Sequence, residues 1–448
     1  MSDRPVPALF SDLYQLTMMQ AYAAEGMTAP AVFELFVRRL PAERNFLVAC
    51  GLADVLDYLE NLHFTAAEID YLRSLGRFTP DFLESLREFR FTGTVHAMPE
   101  GTVCFANEPI LAVEAPLPQA QFVETAVLNL IHYQTLVASK GVRAVLAAGD
   151  RQVVDFGARR THGRDAALAC ARALSIAGYA GTSNLEAGFH LGIPVVGTVA
   201  HSYIQAHADE EQAFLHFAER YPGTTLLVDT YDTLHGVQRI IDLSRHLGER
   251  FRVGGIRLDS GDLAGLARQS RAMLDAAGLT AVRIVASGNL DEYRVAELRA
   301  AHAPIDSFGV GTAVNVVADG PYLEAAYKLV SYDGHDCGKL SPGKVSLPGP
   351  KQVYRIAEGA MCIGDVIARH EEAPLGEPLL RCVMRGGRRL PDAAPGLDVA
   401  RARLQADVAA LPAALRELPV AAQSYPVAVS QHLLAAQARL QHLHSGVG

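Results

Sequence analysis

Gly255-Ile256-Arg257-Leu258-Asp259-Ser260-Gly261-Asp262 packs a short apolar run against an abrupt polar and glycine-rich ending, and the same theme recurs on both sides of it. Comparable runs occupy residues 153–156, 193–196, 226–229, 283–286 and 307–310, with a weaker one around Tyr179 and a last one near Tyr327. Amphipathic helical stretches separate them. Short β-branched runs buried on both faces and alternating with helices predict a parallel α/β sheet. A count of seven or eight such units favours closure into a barrel. Strand ends of such a barrel gather at one mouth, where sites are built.

The endings of these runs supply the candidate chemistry. Gly309-Val310-Gly311-Thr312 follows an apolar run, and its glycines would let a phosphate approach backbone N–H groups, the alternative being a strand-ending turn. Ser287-Gly288-Asn289, one unit earlier, is a turn of the same kind. In Phe156-Gly157-Ala158-Arg159-Arg160 two guanidiniums follow a buried strand, suited to phosphate or carboxylate and otherwise to solvent. Arg257 and Asp259 share one face by the two-residue period of a strand, as a substrate-binding pair or a structural ion pair. Gly197-Thr198-Val199-Ala200-His201-Ser202 puts a histidine after a Gly-Thr turn, where imidazole could take a phosphoryl group from ATP or simply pack. Asp229-Thr230-Tyr231-Asp232-Thr233 reads as a helix cap, leaving Asp229 at the strand end as a metal or hydroxyl ligand. Tyr14 lies in an amphipathic helix, and periodicity alone makes it a core aromatic.

Outside the repeats the chain changes character. Residues 1–120 read as an α+β domain: a helix over 13–24, a strand over 31–37, helices to 89, then strand-like segments at 93–97, 102–105 and 110–113. Residues 121–345 form the barrel. Residues 346–448 open with strand and turn and end in an Ala/Leu-rich helix that Pro412 stops, and this tail is expected to pack on the N-terminal domain.

Composition sets the class. The chain has 448 residues, 50% hydrophobic and 20% charged, as a globular protein does. A net charge of −9 argues against nucleic acid as a partner. No apolar run reaches the roughly 18 residues needed to span a bilayer, so no membrane partner is expected. The six cysteines are scattered with no CxxC pair, which fits the reducing cytoplasm and gives no zinc spacing or other certain metal site.

Taken in order, Asp12-Leu13-Tyr14-Gln15-Leu16-Thr17-Met18, the Phe156 to Arg160 loop, the Gly197 to Ser202 turn, Asp229 to Asp232, Arg257 to Asp262 and Gly309 to Thr312 resemble the nicotinate phosphoribosyltransferase family. The likeness runs from about Ser11 to Lys344. It implies a type II phosphoribosyltransferase fold, an irregular α/β barrel with a second α/β domain, working as a homodimer with shared sites. It implies that nicotinate and 5-phosphoribosyl 1-diphosphate give nicotinate mononucleotide and diphosphate, with ATP hydrolysis and Mg2+, as an entry to NAD. Position by position, Tyr14 and Phe156 would flank the base, and Thr198 and Arg257 would contact nicotinate. His201 would be the phosphorylated histidine and Asp259 would face the ribose, with Asp229 beside it. Arg159, Ser287, Gly288, Gly309, Gly311 and Thr312 would bind phosphate, and Lys328, with Lys339 or Lys344, would reach the diphosphate. Related nicotinamide enzymes carry an aspartate in a Gly-Thr-Asp turn. Here the turn reads Gly181-Thr182-Ser183-Asn184, uncharged, which favours a carboxylate substrate. Nicotinamide and quinolinate phosphoribosyltransferases, and a catalytically silent nucleotide-binding barrel, are the rival readings.

Overall fold

A computed structural model describes residues 5–341 and 345–445. Lys344 lies outside the described residues. The chain divides into two compact units, residues 140–319 and residues 1–139 with 320–448.

The unit of residues 140–319 carries a curled parallel sheet of six strands, in the order Gly181–Thr182, Gln152–Asp155, Ser307–Gly309, Arg283–Ala286, Gly255–Leu258 and Thr225–Leu227. Each strand is followed by a helix, and several of these helices start on a capping side chain. Asp232 accepts the backbone N–H of His235 at 2.9 Å to start Thr233–Leu247, and Asp291 accepts from Arg294 at 2.8 Å to start Glu292–Ala300. One face of the sheet is fully buried, with Val153, Leu226, Ile256, Leu258, Ile284, Ala286 and Phe308 all 2% exposed or less, whereas Val154, Arg257 and Val285 on the other face are half-buried. Side chains of this size each contribute about 1.5–3 kcal/mol on burial, and the sheet is held mainly by them.

Two of the expected repeats are corrected. Residues 193–196 add only a single parallel bridge, Val195 to Thr182, because Pro194 has no N–H to extend a ladder. The run near Tyr327 is not part of this sheet. It is the strand Ala325–Tyr332 of the other unit, antiparallel to Pro30–Val37. Among the described residues no ladder joins the Val195 edge to the Thr225–Leu227 edge.

The other unit is built on a seven-stranded antiparallel sheet. Its order is His335–Asp336, Ala325–Tyr332, Pro30–Val37, Pro109–Pro116, Thr94–Ala97, Arg381–Arg385 and Arg388–Arg389. A four-stranded sheet of Glu377–Pro378, Lys351–Glu358, Met361–Arg369 and Val427–Val429 belongs to it as well. The strand Arg381–Arg385 pairs directly with Thr94–Ala97, and the Lys351 ammonium meets Glu34 at 2.8 Å with both side chains buried. The unit therefore ends at residue 139 and resumes at 320, not at 120 and 345. The helix Leu397–Ala410 stops at Leu411, ahead of Pro412. No helix of the described residues is long and apolar enough to cross a membrane.

Candidate active site

At the end of the strand Gly255–Leu258 one arginine ties together the residues that follow three of the apolar runs. Arg257 donates from Nε to Ser287 Oγ at 2.7 Å, from Nη1 to Thr198 Oγ1 at 2.9 Å, and from Nη2 to Asp259 Oδ1 at 2.5 Å. A guanidinium has five N–H groups. Each terminal nitrogen therefore keeps one, which together make a fork for a planar anion. The guanidinium carbon also stands 5.4 Å from the centroid of the Phe156 ring, a cation–π contact. The side chain of Arg257 is only 17% exposed, so what it holds is partly screened from water.

Asp259 is fixed as firmly. Its Oδ1 also accepts from Ser287 Oγ at 2.5 Å, and its backbone N–H donates to Asp229 Oδ2 at 3.0 Å. Ser260 Oγ donates to that same Asp229 oxygen at 2.6 Å. The second oxygen, Asp229 Oδ1, is buried without a hydrogen-bond partner among the described residues. A buried carboxylate oxygen without a partner is costly, and it suits a hydroxyl or a hard cation.

The glycine turns lie beside these carboxylates. Gly288 has φ +89°, and a Cβ there would fall 1.8 Å from the carbonyl oxygen of Asp259, so only glycine fits between the two strand ends. A Cβ on Gly309 would meet the Phe156 ring at 2.6 Å, so this glycine lets the ring lie across the strand. Arg160 donates from Nη1 to Thr312 Oγ1 at 3.0 Å, which ties the loop after Gln152–Asp155 to the Gly309-Val310-Gly311-Thr312 turn. Its neighbour Arg159 is exposed.

His201 opens the helix His201–Gln205, and its Nδ1 stands 3.1 Å from Thr230 Oγ1. That contact orients the imidazole at the end of the next strand.

The geometry thus brings together Phe156, Thr198, Arg257, Asp259, Asp229, Ser287, Gly288 and Gly309, and joins Gly311 and Thr312 to them through Arg160. Tyr14 and Lys328 lie in the other unit. Tyr14 sits on the helix Leu13–Glu25, 47% exposed, with its phenol pushed up to about 12 by partial burial and by the Glu124 carboxylate. It is not the core aromatic that periodicity suggests. Lys328 sits on the strand Ala325–Tyr332 and donates to its neighbour's carbonyl, Tyr327 O, at 2.9 Å. Asp155 and Thr230 stand in strand-ending motifs but carry no role of their own in the sequence reading, and nothing in the sequence marks Asn315.

Known proteins share this arrangement of sequence. Residues 9–132 match the nicotinate phosphoribosyltransferase (NAPRTase) N-terminal domain family and residues 151–333 the nicotinate phosphoribosyltransferase (NAPRTase) family. The chain is 53% identical to nicotinate phosphoribosyltransferase pncB2 of Mycobacterium tuberculosis over 437 residues, covering 98% of this chain and 94% of that one. It is 45% identical to the nicotinate phosphoribosyltransferase of Bacillus subtilis, covering 84% and 78%. The crystal structure of human nicotinic acid phosphoribosyltransferase superposes with a TM-score of 0.87 at 30% identity, covering 96% of this chain and 99% of that one.

Proposed function

The chain belongs to the nicotinate phosphoribosyltransferase family, and from that premise we propose that it joins nicotinate to 5-phosphoribosyl 1-diphosphate, giving nicotinate mononucleotide and diphosphate in NAD salvage, with ATP as co-substrate. One observation carries the assignment to nicotinate. Arg257, held from three sides by Thr198, Ser287 and Asp259, presents a fork of two N–H groups beside the face of Phe156. A pyridine ring with a carboxylate on its edge matches that pairing of fork and aromatic wall.

The reaction breaks the bond between the anomeric carbon and diphosphate and forms one to the ring nitrogen. The ribose passes through oxocarbenium character, so the chain's task is to hold the nitrogen in line and to stabilise the departing charge. Arg257 and Thr198 fix the base through its carboxylate, and Asp259 faces the ribose. Backbone N–H groups at Gly288 and Gly311, with Thr312 and Arg159, hold phosphate, and Ser287 and Gly309 line the same end. Lys328 is carried over from the family resemblance as a diphosphate contact. The fold reads as the irregular α/β barrel of type II phosphoribosyltransferases.

A divalent cation fits at Asp229, whose buried Oδ1 lacks a partner. No group of three or more His, Cys, Asp or Glu that could hold a metal exists among the described residues. An ion held by one or two carboxylates and completed by substrate phosphates and water is the pattern of Mg2+, which would neutralise the diphosphate. His201 would accept the γ-phosphoryl group of ATP through an imidazole nitrogen, coupling hydrolysis to the glycosyl transfer without taking part in it. The homodimer of the family would let the exposed Tyr14 ring stack on a base bound by the partner subunit. The scattered cysteines, none in a CxxC pair, support a cytoplasmic setting.

Purified protein should convert nicotinate and 5-phosphoribosyl 1-diphosphate to the mononucleotide, with a higher yield in the presence of ATP and Mg2+. Nicotinamide and quinolinate, assayed alongside with and without ATP, separate the neighbouring activities. Turnover of nicotinamide without nicotinate, or none of the three, would sink the assignment.

A further inference from the structure

Asn315 closes the short helix Thr312–Asn315 and is 1% exposed, an unusual place for a side-chain amide. Its hydrogen bonds reach two loops at once. The amide Nδ2 donates to Asp155 Oδ1 at 3.0 Å and to the carbonyl of Gly311 at 3.1 Å, and Oδ1 accepts from Thr161 Oγ1 at 2.6 Å. Asp155, also 1% exposed, collects the rest: Oδ1 accepts the backbone N–H of Gly157 at 2.8 Å, and Oδ2 accepts from Thr182 Oγ1 at 2.7 Å. The loop 156–161, the turn 309–312 and the strand end at Thr182 therefore meet on one amide and one carboxylate.

The glycines record the same closeness. A Cβ on Gly157 would lie 2.2 Å from Asn315 Nδ2, although Gly157 has an ordinary φ of −93°, so glycine stands there for room. A Cβ on Gly311 would lie 2.8 Å from the backbone nitrogen of Gly157. The two loops touch backbone to backbone, and Asn315 sets their spacing. Arg160 bridges them again on the exposed side, through Thr312.

We propose that Asn315 is a positioning residue for the donor substrate: with Asp155 it locks loop 156–161 against turn 309–312, so that their phosphate-binding groups converge on 5-phosphoribosyl 1-diphosphate. The inference rests on the reading of those loops as the phosphate end of a phosphoribosyltransferase site. An amide is needed because it donates to a carboxylate and accepts from a hydroxyl at once. Aspartate is isosteric but offers Asp155 a second carboxylate in place of a donor, unless it is protonated.

Wild-type turnover is measured first, and its absence overturns the reading of the site and this inference with it. With turnover established, Asn315→Ala should raise the KM for 5-phosphoribosyl 1-diphosphate about tenfold, leave the KM for nicotinate within about twofold, and shift Tm by only a few degrees. Asn315→Asp should show the same defect at pH 8 and recover toward wild type as pH falls, since a protonated Asp at 315 restores the donor; the wild-type KM serves as the baseline at each pH. Thr161→Val, a milder cut that spares the Asp155 contact, should raise the same KM a few-fold and tests the idea should the Asn315 variants not fold. Unchanged donor KM in folded variants overturns the role of Asn315 while leaving the function standing. Equal rises in both KM values with a large loss of Tm, and no recovery of Asn315→Asp at low pH, would reduce Asn315 to a packing residue.

Discussion

Arg257 and Asp259 meet at 2.5 Å from the same face of one strand, and Ser287 donates to the same carboxylate oxygen at 2.5 Å, so that cation and anion are held by each other before any substrate arrives. The pair divides the work by charge. The guanidinium keeps its remaining N–H groups for an anion, and the carboxylate keeps Oδ2 for a hydroxyl.

Arg257→Lys keeps the charge and loses the fork, together with two of the three bonds that aim it. Charge-assisted hydrogen bonds of this kind are worth about 1.5–3 kcal/mol. The KM for nicotinate should rise roughly 10- to 100-fold, with a smaller effect on the KM for 5-phosphoribosyl 1-diphosphate. Steady-state kinetics with each substrate varied in turn decides it, and equal effects on both substrates would remove Arg257 from the nicotinate end.

His201→Ala should keep slow mononucleotide synthesis and lose the stimulation by ATP. The Thr230 contact at 3.1 Å orients the imidazole, so Thr230→Val should weaken the stimulation only in part. Acid-labile labelling of the wild-type protein by ATP carrying a γ-³²P label, absent from His201→Ala, is the direct measurement. Stimulation that survives in His201→Ala would exclude the phosphohistidine.

The parallel sheet was legible because buried strands and amphipathic helices alternate along the chain. Its membership was less so. The run at Ala325–Tyr332 has the same apolar content as a barrel strand, and only its antiparallel partner, Pro30–Val37, places it in the other unit. Pro194 ought to have warned against a full strand at 193–196. In the site, Arg257, Asp259, Thr198 and Ser287 could be gathered in advance, since strand ends of a parallel sheet lie together. Asn315 could not, because its value lies in meeting Asp155, 160 residues earlier in the chain, and a lone asparagine after a glycine turn carries no signal of that.

Ser183→Asp should turn the uncharged turn against its substrate. Ser183 is exposed, and its backbone N–H donates to Asp155 O at 2.9 Å, so the side chain changes without disturbing the ladder. A carboxylate there opposes the nicotinate carboxylate, and discrimination against it should fall out as a tenfold or larger drop in kcat/KM for nicotinate, with nicotinamide spared. A variant whose ratio of the two activities stays at the wild-type value would show that this turn does not choose the substrate.

Glu108 supplies a pH dependence that has nothing to do with catalysis. It is fully buried, its Oε2 accepts the backbone N–H of Phe105 at 2.8 Å, and burial together with the nearby Asp365 carboxylate pushes its pKa well above the ordinary range. Asp365 takes the cationic and phenolic donors of the cluster, from Arg355 at 2.7 and 3.1 Å and from Tyr425 at 2.9 Å, leaving Glu108 to hold a proton. The folded state therefore binds a proton that the unfolded chain releases near pH 4.3, the usual value for Glu. The stabilisation is complete below that pH and shrinks as pH rises toward the folded pKa, by up to about 1.4 kcal/mol per unit. Glu108→Gln has the same shape and nothing to release, so its Tm should gain on that of the wild type as pH is raised from about 5 to 8. Parallel Tm curves for the two proteins across that window would mean that Glu108 is ionised in the folded state and that its charge is balanced by Arg355.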